Sequence, residues 1–358
     1  MNQSTNRPVE KYSLDLCKFI MAFAVIAIHT DPLVDCSNTA MSRIGYLFLS
    51  MAVPFFFLAS GYLLAAKLLF PFSGQEDLSK IRRYMTKILK MYLLWTLLYL
   101  PMALWHFVAT GKTLHRAIQL YIQGFFFVGQ QYNSWPLWYL LSTFYTLGVL
   151  YLLLKCKAPP VTFLLVSGIS AVISFTIDAL IASPDHFPTT MQALLPIIHN
   201  TVQHGRIFTG GIYLPLGMLL AYRKLPALLN RILLPAGCIA SFLIHVSVVD
   251  ACLLVIISVS FFGIVENLSL KKHRIYHFMR HSSMILYLIH MYVWSIYYKL
   301  LYKHKDHGID DFLITSALSF ALAALYILLK NRRLNQNLSQ KFLPNEKEPE
   351  FDFRFFFD

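Results

Sequence analysis

Long apolar stretches separated by short polar ones run through almost the whole chain. Crossing a hydrocarbon core of ~30 Å takes roughly 20 residues of helix. Stretches of that kind lie at 14–32, 44–69, 87–108, 137–154, 161–182, 207–222, 231–247, 248–265, 283–302 and 312–330. The pattern predicts an all-α polytopic membrane protein with about ten transmembrane helices in one bundle. Nine is the main competitor, because only Val246–Asp250 offers a turn between the seventh and eighth stretches. Residues 1–330 are expected to form one transmembrane domain, followed by a cytoplasmic tail at 331–358. The longest outer segment, Ala109–Pro136, has an aromatic centre at Tyr121–Gln131, suited to the interface or to a fold back into the protein. No internal repeat stands out.

Composition sharpens this picture. Hydrophobic residues make up 57% of the 358 and charged ones only 14%, against about a quarter in soluble domains. The net charge of +13 invites a nucleic-acid partner, but its distribution argues for lipid. With the N-terminus inside, the cytoplasmic side receives Lys80, Arg82, Arg83, Lys87 and Lys90, then Lys155 and Lys157, Arg223 and Lys224, Lys271, Lys272 and Arg274, and Lys330, Arg332 and Arg333. The outer side holds only Arg43, Lys112, Arg116 and the Lys299–Lys305 group. This is the positive-inside bias, and it predicts a multi-pass protein of the cell membrane with both termini cytoplasmic. The first stretch carries Asp15 and Lys18 and no small-x-small cleavage signature, so it reads as a retained span rather than a signal peptide. Of five cysteines only Cys36 falls in an outer loop, so no disulfide framework is expected. No metal site is expected either.

Polar groups within the spans are where chemistry is sought, because lipid makes them costly. In the first span eleven steps separate Lys18 from His29, which places them within about 20° on one helix face and about 16 Å apart along it. Asp15 shares that face and can pair with Lys18. A snorkelling lysine and a histidine bonded to a neighbouring helix fit the spacing equally well. In Val53-Pro-Phe-Phe-Phe-Leu-Ala-Ser-Gly-Tyr62, Pro54 can break the helix and free a carbonyl, while Ser60-Gly61 permits close approach and offers a hydroxyl. Trp135, Trp138 and Tyr139 read as an aromatic belt that also suits sugar rings. His204-Gly-Arg206 opens the sixth span, and His290 is an intramembrane histidine of the ninth.

Taken together these segments resemble the acyltransferase family 3 membrane proteins, including the membrane half of the vancomycin-resistance serine racemases. The resemblance rests on Leu14-Asp-Leu-Cys-Lys-Phe-Ile-Met-Ala-Phe with His29, similar to the family's basic-x10-His signature. It rests also on Val53–Tyr62, the basic entry to span three, Leu137-Trp-Tyr-Leu and Ser283-Met-Ile-Leu-Tyr-Leu-Ile-His290, in that order over nearly the whole chain. Three departures matter. Lys18 stands where arginine is usual and lacks its planar fork. The paired arginines before span three appear as Arg82, Arg83 and Lys87, and the usual Arg-Asn-Gly reads His204-Gly-Arg206. No racemase domain follows, so racemase activity is not implied. What the resemblance implies is transfer of an acyl group, with acetyl-CoA the expected donor among cytoplasmic acyl-CoA thioesters, to a hydroxyl of a surface glycan or lipid-linked acceptor outside. Arg82, Arg83 and Lys87 would bind the donor's phosphates, and Lys18, paired with Asp15, would contact the donor in the bundle. His29 would act as general base or as an acyl-histidine nucleophile. Ser60, Tyr62, Trp138, Tyr139, His204, Arg206 and His290 complete the expected substrate side. A transporter or flippase using the same His and Lys is the alternative from another class, and a membrane anchor or sensor a third.

Overall fold

The computed structural model describes residues 11–69, 74–244, 246–300 and 308–340, and among these it is helical with no strand. In chain order the helices are α1 (Tyr12–Thr30), α2 (Thr39–Ser50), α3 (Ala52–Ala65), α4 (Gln75–Ala109), α5 (Leu114–Gln123), α6 (Leu137–Lys155), α7 (Val161–Ala182), the short α8 (Thr189–Gln192) and α9 (Leu195–Asn200), α10 (Thr209–Tyr222), α11 (Ala227–Leu243), α12 (Ser247–Asn267), α13 (Arg274–Leu300) and α14 (Ile309–Gln340). Residues 341–358 of the expected tail lie outside the described residues, and α14 carries the helix past the expected boundary at 331.

Among the described residues seven helical segments, against the ten expected, are long and apolar enough to cross a membrane: 12–30, 39–65, 75–109, 137–155, 161–182, 247–267 and 309–332. The three other expected spans coincide with helices that fall short for separate reasons. α10 has 14 residues and α11 has 17, about 21 and 26 Å at ~1.5 Å per residue. α13 is 27 residues long, but its serines, histidines and tyrosines hold its hydropathy down. α11 ends at Leu243 and α12 begins at Ser247, earlier than the expected turn, so Asp250 is already inside α12.

Local chemistry explains the other breaks. Asn38 caps α2 by accepting from the Met41 amide at 3.1 Å. The second span is interrupted at Met51, one turn before Pro54. The proline ring would collide with the carbonyl four residues back, so the helix restarts and Pro54 takes a first-turn position where its missing N–H costs nothing. The 121–131 segment folds back: α5 runs into a π-helical turn at Gly124–Val128, whose Phe125 and Phe126 carbonyls accept from Tyr92 and Tyr145.

Helix α10 packs against α3 and α7, α11 against α12, α1 against α13, α4 against α6 and α13 against α14. The α3–α10 seam uses missing side chains: a Cβ on Gly61 would strike the Leu214 carbonyl, and one on Gly217 would strike that of Leu58. Small residues at helix interfaces allow such approach.

Candidate active site and the ionic end of the bundle

Helix α1 carries the two regions that matter, one at each end. At its start Lys18 pairs with Asp15 at 3.2 Å, as the spacing suggested. Asp15 has a stronger partner in Arg280 of α13, whose guanidinium donates through Nε and Nη2 to both carboxylate oxygens at 2.7–3.1 Å. The fork geometry that Lys18 lacks is therefore supplied by another helix. Close by, buried Glu266 at the end of α12 accepts from Lys11, Lys224 and the Tyr62 hydroxyl at 2.6–2.7 Å. Four elements meet on that one carboxylate: the start of α1 and the ends of α3, α10 and α12. Tyr62 belongs to this ionic end and not to the histidine.

At the far end of α1, His29 stands in the last turn, and Asp31 closes the helix in the left-handed conformation. The imidazole is thus one residue from the helix end. The C-terminal end of a helix favours positive charge, which suits a side chain that collects a proton. The start of α14 is held against this end, where the Gly308 amide donates to the Thr30 carbonyl at 2.9 Å.

His290 of α13 faces His29, their rings 23° from parallel with centroids 5.3 Å apart. Trp135 covers the other side of His29 at 5.2 Å. Trp135 is delivered by a tight turn in which Asn133 adopts a positive φ of 55°, a conformation asparagine tolerates, and donates to Ser295 at 2.7 Å. His290 is fully buried and His29 only partly so.

From His290 an aromatic path leads inward. Tyr287 lies 6.4 Å from His290 and 5.5 Å from Tyr139. The Tyr139 hydroxyl meets Ser60 Oγ at 2.8 Å, and Tyr84 of α4 lies near Ser60. Tyr84 sits on the helix that carries Arg82 and Arg83, which are exposed, and Lys87, which is half-buried. The residues expected to serve donor and acceptor are thus linked through Ser60 and Tyr139. Trp138 packs on Phe57 at 5.9 Å, beside this path.

Arg206 and His204 stand apart from it. Gly205 between them has φ +65° and lies against Ile177 of α7, and both flanking side chains face Asp178 electrostatically. Of the residues expected to act together, the structure joins His29 with His290 and Ser60 with Tyr139. It assigns Asp15, Lys18 and Tyr62 to the ionic end. Arg280, Glu266, Tyr84 and Tyr287 complete the two regions without having been singled out as site residues. One sequence signal does point to Arg280. It precedes His290 by ten residues, close to the eleven between Lys18 and His29, and α1 and α13 lie side by side with both pairs in contact. Among the described residues no cluster of His, Cys, Asp and Glu could hold a metal ion.

Among the described residues the chain is a helical bundle with an imidazole pair at one end and ion pairs at the other. The sequence profile described as acyltransferase domain matches residues 11–329, and the chain belongs to that family. It is 33% identical to an amino-acid racemase of Enterococcus faecalis over 122 residues, 34% of this chain and 17% of that protein. It is 36% identical to a serine/alanine racemase of Enterococcus gallinarum over 92 residues, 26% of this chain and 13% of that protein. The matches therefore span about a sixth or less of these relatives' length. No solved structure matches the chain.

Proposed function

We propose that this protein moves an acyl group, with acetyl the first candidate, from cytoplasmic acyl-CoA to a hydroxyl of a surface glycan or lipid-linked acceptor, with His29 as general base. The observation that carries this reading is the partly exposed His29 set between Trp135 and His290, at the end of α1 opposite Lys18. Proton transfer from a hydroxyl needs a neutral imidazole within reach of the substrate, and His29 is the more accessible of the pair. On this reading Arg82, Arg83 and Lys87 bind the donor's phosphates. Ser60, which meets Tyr139, would donate to the thioester carbonyl. Lys18 and Asp15 then act by anchoring α1 to Arg280, a shift from the donor contact suggested by spacing.

The reading includes ten crossings, with both termini and the 80–90 segment in the cytoplasm. The Glu266 cluster supports it, since α10 and α12 can both end there only if α11 runs back between them. Cysteine-accessibility labelling that found Ser79 and Asn331 on opposite faces would overturn this orientation. The function is tested by incubating the purified protein with labelled acetyl-CoA and a panel of glycan, lipid-linked and amino-acid acceptors. Label is expected on a glycan or lipid-linked hydroxyl; no transfer with any acyl-CoA, beside saturable substrate movement, would favour a carrier.

A further inference from the structure

We infer that His290 is a positioning residue that accepts a hydrogen bond from the His29 ring when His29 becomes protonated during acyl transfer. This deepens the proposed general-base role of His29 and rests on it. The argument begins with the tautomer. His290 Nδ1 lies 3.1 Å from the Leu286 carbonyl oxygen. A carbonyl only accepts, so Nδ1 carries the hydrogen and Nε2 of the neutral ring presents a lone pair. That Nε2 is buried and, among the described residues, has no hydrogen-bond partner, in a side chain with no exposed surface. Buried acceptors are almost always satisfied, so a donor is to be expected here during function.

Two neighbouring hydroxyls are engaged elsewhere. Tyr287, one turn back, gives its hydroxyl to the Pro136 carbonyl. The Ser295 hydroxyl, one turn on, donates to Met291. His29, with its ring centroid 5.3 Å away, is the group that gains an N–H in the reaction. Exposure sets the order: an acceptor hydroxyl meets the partly exposed His29 first, and the fully buried His290 stands behind it.

The step balances without another reagent. The acceptor O–H proton passes to His29 as the oxygen attacks the thioester carbonyl carbon. A C–O bond forms and the C–S bond breaks. The proton then leaves His29 for the thiolate, giving free CoA thiol. His290 stays neutral throughout and accepts from the transient imidazolium, much as a carboxylate orients the base in hydrolase triads.

The test uses the full chain in membrane vesicles, with labelled acetyl-CoA as donor and the membrane's own acceptors. It reads thiol release and label incorporation. His290→Leu removes the lone pair and is expected to lower kcat about 10²-fold, with KM for acetyl-CoA unchanged. His290→Gln returns an acceptor oxygen near the Nε2 position and is expected to recover at least about tenfold of that loss. If the leucine variant does not fold, His290→Asn replaces it; its shorter amide cannot reach, and it must fall about tenfold below glutamine. Equal activity in the variants with and without a reaching acceptor, or an effect confined to KM, overturns the inference. His29→Gln is run in parallel. If it is inactive while His290→Leu is fully active, only the inference fails; if it turns over normally, the general-base reading itself falls.

Discussion

At the Lys11 end of the bundle Glu266 accepts from three donors and Asp15 from the Arg280 fork, with Lys18 paired to it as well. At the His29 end the rings of two histidines and two tryptophans lie 5.2–6.2 Å apart between centroids, and among the described residues His290 Nε2 has no hydrogen-bond partner. The contrast separates two uses of polar groups in lipid. Saturated ion pairs hold helices in place, and removing one partner leaves a stranded charge. An unsatisfied acceptor costs stability and persists where a ligand or a reaction intermediate completes it. The same helix, α1, is fastened at one end and reactive at the other.

Three substitutions test that division, in descending order of effect. His29→Ala is expected to reduce acetyl transfer by 10³-fold or more, through loss of the base and its reach, while the melting temperature barely moves. A large stability loss with activity per folded molecule intact would reverse the assignment of the two ends. Asp15→Ala is expected to do the opposite. It strands the largely buried Lys18 and releases Arg280, so the folded state should lose about 3 kcal/mol, seen as a lower melting temperature in detergent. Turnover per folded molecule should be retained, and its collapse without destabilisation would return Asp15 to the catalytic set. The mildest effect is expected from replacing Arg82, Arg83 and Lys87 together by glutamine. The KM for acetyl-CoA should rise about tenfold, roughly what loss of one or two charge-assisted contacts gives, with kcat little changed. An unaltered KM in a normally inserted variant would leave these charges a topological role alone.

The sequence made the long helices and the Lys18–His29 face legible, because both follow from periodicity within one segment. The Asp15–Lys18 pair was legible for the same reason. Arg280 was not, since its contact with Asp15 spans 265 residues and depends on α1 and α13 packing side by side. Glu266 was hidden likewise: a lone carboxylate at a helix end reveals nothing until three other helix ends converge on it. His290 was visible as an intramembrane histidine, yet only the packing shows that it faces His29. Spacing placed His29 deep in the span because the apolar run continues to residue 32, whereas the helix itself stops at Thr30. The stretches 207–222 and 231–247 were short already in the sequence, and their helices α10 and α11 have 14 and 17 residues.

The glycine seam between α3 and α10 has a consequence for traffic through the bundle. Gly61 and Gly217 bring the two backbones so close that not even a methyl group fits between them at either point. For an acyl chain or a pantetheine arm that seam is a wall, and the two helices must travel as one slab in any motion the protein makes. On the proposed function, passage between the membrane faces would instead run along the flank of α3 that carries Ser60, past Tyr139, where side chains rather than main chains form the boundary.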